Sequence, residues 1–203
     1  MARRTTKSAS TREDILQAAI QIFALHGFEC AKIAEIARQA GVQHPLVSYY
    51  FTDKEALWDA VIDQVWGEFG KSFINVAAEF QGIDPQQQLR MLYRRYVLFS
   101  ARHPEIHRLV ANESFSPGPR LDRLVERHYA PFQGAILHMI NNSSRKDNPP
   151  DPLHIMVMMN GAVLAFIAGA PLIQRVHGFD PTEQSRALAM ADGVIDAIIK
   201  GIS

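Results

Sequence analysis

The stretch from Ile33 to Phe51, IAEIARQAGVQHPLVSYYF, constrains the fold most, because it reads as helix, sharp turn, helix within nineteen residues. Ile33, Ile36, Ala37 and Ala40 recur at helical spacing and give the first helix one apolar face. Gly41 follows the last periodic residue, where a chain leaving a helix needs a positive φ. Val42 is placed to pin that turn. Pro45 sits in the first turn of the next helix, where its missing N–H costs nothing. In this second helix Leu46, Val47 and Phe51 can face inward, while His44, Ser48, Tyr49 and Tyr50 can face out. Two adjacent outward tyrosines suit phosphate contacts and thymine-methyl packing in a major groove better than they suit a plain solvent face.

The residues Ile36, Ala37, Ala40, Gly41, Val42, Val47, Tyr50, Phe51, Asp53, Lys54, Glu55 and Leu57 together resemble the helix-turn-helix of the TetR family of bacterial transcriptional regulators. The likeness continues upstream through Ile15, Ala18, Ala19, Phe23, Gly27 and Phe28, so it covers about residues 11–60. Three positions depart from the family pattern. Gln43 replaces a frequent capping serine, Ser48 stands where tyrosine is common, and Lys32 stands where threonine often opens the preceding helix. These departures bear on which DNA sequence is read.

Ser10 and Glu13 have capping-box spacing, which predicts a helix start there. Residues 1–9 contain Arg3, Arg4 and Lys7 with no acid, and read as a basic flexible arm. The head is then expected at 10–55 and the body at 56–203. Asp53 is placed to cap a fourth helix whose stripe runs Leu57, Val61, Val65, Phe69, Phe73, Phe80. Asp84-Pro85, Asp151-Pro152 and Asp180-Pro181 each pair a capping acid with a first-turn proline. Helices are predicted at 85–102, 104–114, 119–142, 152–175 and 181–200, with Pro131 kinking or splitting the third and with loops at 116–119 and 143–151. The fold class is therefore all-α, about nine helices: a three-helix head plus a helical bundle, which the resemblance implies serves ligand binding and dimerisation.

Net charge is zero, and residues 1–55 hold seven Lys/Arg against six Asp/Glu, so the motif rather than bulk charge carries the nucleic-acid reading. The DNA-reading candidates are Gln43, His44, Pro45, Leu46, Ser48, Tyr49 and Tyr50, with Lys32 and Lys54 for phosphates. The single cysteine, Cys30, excludes an intrachain disulfide and a zinc cluster and suits a reducing cytoplasm. The apolar run at 155–173 is broken by Asn160, Gly161, Gly169 and Pro171 and reads as a buried helix, with no membrane partner expected. His103 and His107 are four apart, but HPEIH is not a zincin motif, and no metal or cofactor is expected. No nucleophile motif or phosphate loop supports an enzyme.

The resemblance implies a DNA-binding regulator, a repressor of a palindromic operator, acting as a homodimer through its last two helices and responding to a small apolar effector. Gly161, Ala162, Ala165, Ala168 and Gly169 would allow close helix approach, and Ala187, Met190, Ala191, Val194, Ile195, Ile198 and Ile199 give the last helix a wide apolar face. Candidates for lining an effector cavity are Tyr96, Phe99, Asn112, Glu113, Phe115, Phe132, Met156, Met159 and Asn160. Methionine suits a cavity that must adapt to a flexible apolar guest. The residues alone leave two alternatives open: a helix-turn-helix module that docks a protein, carried on a dimerising body, and an all-α enzyme or ligand carrier with a vestigial head.

Overall fold

The computed structural model describes residues 2–73, 79–144 and 150–202, with side chains from Ser10 onward. Among them there is no strand. The helices are α1 (Ala2–Cys30), α2 (Ile33–Gln39), α3 (His44–Tyr50), α4 (Lys54–Ser72), α5 (Pro85–Arg102), α6 (Pro104–Ser114), α7 (Pro119–Leu124), α8 (Ala130–Ser143), α9 (Pro152–Val163), α10 (Ala170–His177) and α11 (Gln184–Ile202). Two π-helical turns, Val125–Tyr129 and Leu164–Ala168, join α7 to α8 and α9 to α10. The described helices exceed the expected nine because two of the expected helices are split. Pro131 falls just after the first π turn, where a proline's missing N–H is tolerated. The second split was not expected: α9 and α10 bend by 66° ahead of Pro171.

The capping acids act as their spacing suggests. Asp84, Asp151 and Asp53 accept from the backbone N–H of Gln86, Leu153 and Ala56 at 3.1, 2.8 and 2.8 Å. Asp180 instead accepts from both the N–H and the hydroxyl of Thr182, at 2.8 and 2.7 Å. That closes a turn, and α11 starts at Gln184 rather than at 181. Ser10 does not start α1, which begins at Ala2, because no glycine or proline interrupts the first nine residues. The predicted stripe from Leu57 to Phe80 ends as helix at Ser72; residues 74–78 of that stripe, residues 145–149 of the expected loop and the first residue of the expected arm lie outside the described residues.

The chain divides into two compact units, residues 1–70 with 108–121, and residues 71–107 with 122–203. The first unit takes in a second, distant segment, residues 108–121. Its core is built on Ile15, Ala19, Phe23, Ile36, Leu57, Trp58 and Val61, all at most 1% exposed. The second unit packs α5, α8, α9 and α11 around Leu89, Val97, Ile140, Val163, Ile167 and Ile195. Arg94 Nη1 donates to both carboxylate oxygens of Asp192 at 2.8 Å, which ties α5 to α11. Buried Gln86 donates to the Ser143 carbonyl at 3.2 Å, so that polar group in the core is satisfied.

Candidate nucleic-acid interface and apolar cavity

In the first unit, α2 ends as the sequence requires. Gly41 takes φ 67°, its N–H bonds the Arg38 carbonyl at 3.2 Å, and the Val42 N–H bonds the Ala37 carbonyl at 2.9 Å. This is the 6→1 and 5→2 pair of a Schellman ending, which needs the left-handed residue that glycine supplies. The chain then turns into α3 with Gln43 at the N-cap, its side chain making no cap hydrogen bond. Val47 and Phe51 are buried at 2% and 5%. Gln43, His44, Pro45, Ser48 and Tyr49 are exposed and form one strip, while Leu46 and Tyr50 are half-buried. Tyr49 is 78% exposed, and its ring meets Tyr50 edge-on at 5.2 Å and 84°. Half-burying Tyr50 therefore does not withdraw the strip, since Tyr50 acts as the backing for Tyr49.

The two lysines differ. Lys32 is exposed ahead of α2. Lys54 is folded back: its ammonium donates to the Glu29 carbonyl at 3.2 Å and lies 4.5 Å from the Phe28 ring centre.

The same corner holds a feature that local sequence patterns do not reveal. Gly27 adopts φ 70°, ψ 170° and interrupts α1. The Asn112 carboxamide donates to the carbonyls of Phe23 and Ala24, both at 3.3 Å, next to that break. Arg120 completes the joint. Its guanidinium lies 3.8 Å from the Phe28 ring centre and reaches Glu29 at 2.9 Å, Glu55 at 3.2 Å and Glu113 at 3.3 Å. Glu113 is 3% exposed, and burial pushes its carboxyl above the ordinary value of 4.5 while Arg120 pulls it down. The three carboxylates together hold the Arg120 guanidinium firmly charged against its own burial. Asn112 and Glu113, expected to line an effector cavity, are instead structural members of the first unit. The one local hint was Pro117-Gly118-Pro119, a rigid turn that sets the direction of the next residue.

The second unit holds a narrow, partly open cavity of about 20 Å³, the space of a single water. Tyr96, Phe132, Met156, Met159 and Asn160 line it, with Phe73, Leu92, Tyr93 and Ile136. Phe99 is not in the lining; it stacks on His103 with ring centres 4.6 Å apart. Phe115 is 86% exposed and lies in neither wall. Helical periodicity marks each aromatic as apolar but does not say which of several neighbouring helices closes on it. No charged side chain is in the lining. Tyr93 donates to the Met159 carbonyl at 3.1 Å, and burial pushes its hydroxyl above the ordinary range. Burial, then the nearby Tyr129 and Tyr93, push Tyr96 up further. His107 turns inward, its Nε2 2.7 Å from Ser100 Oγ and its ring 5.7 Å from that of Tyr96, and burial lowers its pKa to about 4. His103 pairs instead with Glu105 at 3.3 Å, so the two histidines do not converge. Among the described residues, no three His, Cys, Asp or Glu side chains are grouped to hold a metal.

One face of α9 and α10 is apolar and open. Leu153, Val157 and Met158 are 47–57% exposed, Leu164 is 41%, and Leu172 and Val176 are 67% and 65%. Among the described residues no single helix is long and apolar enough to cross a membrane, and the bent pair Pro152–Ala168 with Ala170–His177 passes only by length and composition.

Residues 15–61 match the model for bacterial regulatory proteins of the tetR family. Residues 85–202, more than half the chain, match the C-terminal domain of the HTH-type transcriptional dual regulator CecR. The HTH-type transcriptional repressor NicS of Pseudomonas putida is 30% identical over 115 residues, which is 57% of this chain and 53% of NicS. This chain therefore matches only about half the length of that relative. The HTH-type transcriptional regulator RutR of Escherichia coli is 26% identical over 211 residues, 98% of this chain and 94% of RutR. AibR, solved in complex with isovaleryl coenzyme A and operator DNA, superposes with a TM-score of 0.73 at 19% identity, covering 94% of this chain and 99% of that one. FadR from Bacillus subtilis, solved with stearoyl-CoA, gives 0.68 at 15% identity, covering 94% and 99%. At those identities the structural likeness shows a shared fold.

Proposed function

The chain belongs to the TetR family and is a DNA-binding transcriptional regulator, and from that premise we propose that it is a repressor that binds a palindromic operator as a homodimer and releases it when a small, largely apolar molecule enters its second unit. The exposed α3 strip carries the reading. A tyrosine left 78% exposed on a seven-residue helix, backed by a second ring, is a contact surface built outward from a buried core. The open apolar face of α9 and α10 supports a two-fold pairing of identical copies, which should bury more than about 1,000 Å² in total. Two copies so joined can present their α3 helices to successive major grooves, about 34–36 Å apart. The cavity has no charged side chain, so an effector's buried part there would be neutral, and its walls must part to admit anything larger than a water. Effector binding can shift DNA affinity only as far as it favours one state over the other. NicS, a relative by sequence, is named a repressor, and AibR and FadR are neighbours solved with coenzyme A thioesters. Such a repressor would act in the cytoplasm, beside the genome.

Selection from a random duplex pool with the purified protein at two salt concentrations tests this. The expected result is a two-half-site palindrome whose affinity falls with salt, with a log–log slope of roughly −0.9 per phosphate contact. Tyr49→Ala should weaken that binding while leaving the thermal midpoint within about 2 °C, since the side chain is exposed. No enrichment at either salt would defeat the regulator reading and favour a protein-docking module.

A further inference from the structure

The outward strip of α3 lacks the side chains that most often read guanine. From Gln43 to Tyr50 there is no arginine, lysine or asparagine. Guanine is recognised in the major groove chiefly by two parallel donors from Arg or Lys to O6 and N7, whereas adenine takes a paired acceptor and donor from Asn or Gln at N6 and N7. Gln43 is therefore the one residue of this strip that can make a paired contact with a base, and the base it fits is adenine. Its carboxamide is exposed and is not used to cap α3, although it occupies the N-cap position. His44 and Ser48 offer single hydrogen bonds, which discriminate less. The other exposed members are apolar in contact. Pro45 and Tyr49 are four apart and adjacent on the helix face. Tyr49 is not a loose side chain, because the Tyr50 ring buttresses it edge-on at 5.2 Å. A held aromatic edge beside a proline ring suits the C5-methyl of thymine, the one apolar group in the major groove. Two of the nearby cations are turned elsewhere, while Lys32 and Arg38 are exposed but lie outside α3. Lys54 lies on Phe28, Arg12 lies 5.2 Å over Phe51, and Arg38 projects from α2 with Glu35 4.0 Å away.

We propose that α3 reads an A·T-rich core in each half-site, with Gln43 paired to an adenine and Tyr49, with Pro45, packed on a thymine methyl. The proposal rests on the regulator reading and specifies what that reader recognises. Gln43 sets specificity by hydrogen bonding, and Tyr49 sets it by shape.

The test uses the operator recovered from the pool and the full-length protein. Each thymine of the half-site is replaced in turn by uracil, which removes only the methyl group. At one position per half-site the wild-type protein should lose about fourfold in affinity, the worth of one buried methyl. Tyr49→Ala, bound to the same pair of duplexes, should show no difference between thymine and uracil there. Gln43→Ala should lose roughly 5- to 150-fold in preference for A·T over G·C at a different single position. An enriched operator in which no uracil substitution matters, or in which wild type and Tyr49→Ala respond equally, overturns the proposal and leaves the regulator reading standing. A pool without enrichment overturns both. Circular dichroism of the two variants, expected to match the wild type, separates lost contacts from lost fold.

Discussion

Arg120 offers the most informative perturbation, because one side chain joins α1, α4, α6 and α7 within the first unit. Consider Arg120→Met, which keeps bulk and removes charge. The Arg120 side chain is only 17% exposed, and Glu113 is 3% exposed. Removing one partner of a buried pair leaves the other desolvated and alone, at a cost of about 3 kcal/mol. The contacts to Glu29 and Glu55, which are 77% and 47% exposed, add roughly 0.5 kcal/mol between them. Methionine retains part of the packing on Phe28. The expected loss is about 3–4 kcal/mol, or roughly 6–16 °C in thermal midpoint for a chain of this length that unfolds as one. If the loss comes mainly from a stranded carboxylate, adding Glu113→Gln to Arg120→Met should restore about 1–2 kcal/mol.

The pH dependence supplies a second arm. Burial raises the Glu113 pKa, and losing Arg120 removes the pull that opposes that rise. A carboxyl whose folded pKa lies above its unfolded value gives stability that is fully present below the unfolded value. That stability is lost as pH rises through the folded one. The deficit of Arg120→Met should therefore be larger at pH 7.5 than at pH 5, and that difference should vanish in the double variant. Urea titrations of the four proteins at the two pH values make the measurement. A double variant no more stable than Arg120→Met, or a deficit independent of pH, would show that Arg120 does not act by neutralising Glu113.

Two further outcomes follow from buried geometry. Burial holds the His107 pKa at about 4, below its ordinary 6.5, so the unfolded chain takes up the proton first as pH falls. The stability this gives is present above pH 6.5 and is lost toward pH 4, by at most about 1.4 kcal/mol per pH unit. The difference in unfolding free energy between wild type and His107→Gln should carry that slope, and a flat difference would refute it. Gly27→Ala should cost about 1–3 kcal/mol, because φ 70°, ψ 170° is a region that residues with a Cβ rarely occupy. The nearest side-chain atoms, on Asn112, stand 3.9 Å from the added carbon, so strain rather than collision is the cause. Calorimetry showing no loss would mean that the break relaxes.

What could be read from the chain alone divides along the range of the interactions. Gly41, Val42, Pro45 and Val47 lie within seven residues of one another, and each acts through its own backbone or its own helix face. That is why the turn, the buried valine and the exposed Tyr49 were all foreseeable. Asp84 and Asp151 cap residues two positions away and were equally visible. Asn112 and Glu113 were not, because their partners are 88 to 89 residues away in α1 and seven residues away across a Pro-Gly-Pro turn. In isolation an asparagine and a glutamate on an amphipathic helix look like polar cavity groups, and nothing local says that the asparagine faces the carbonyls beside a backbone break and the glutamate an arginine. The cavity shows the same limit from the apolar side. Met156 and Met159 were recognised from type and spacing, yet Tyr93 and Phe73 enter the wall only because α5, α8 and α9 converge there. A charged pair such as Glu113 and Arg120 is costly to bury, so its retention needs a reason beyond stability. The reason this structure offers is position. The same Arg120 guanidinium reaches Glu29 and Glu55, so the charged cluster ties residues 108–121 to α1 and α4 of the first unit.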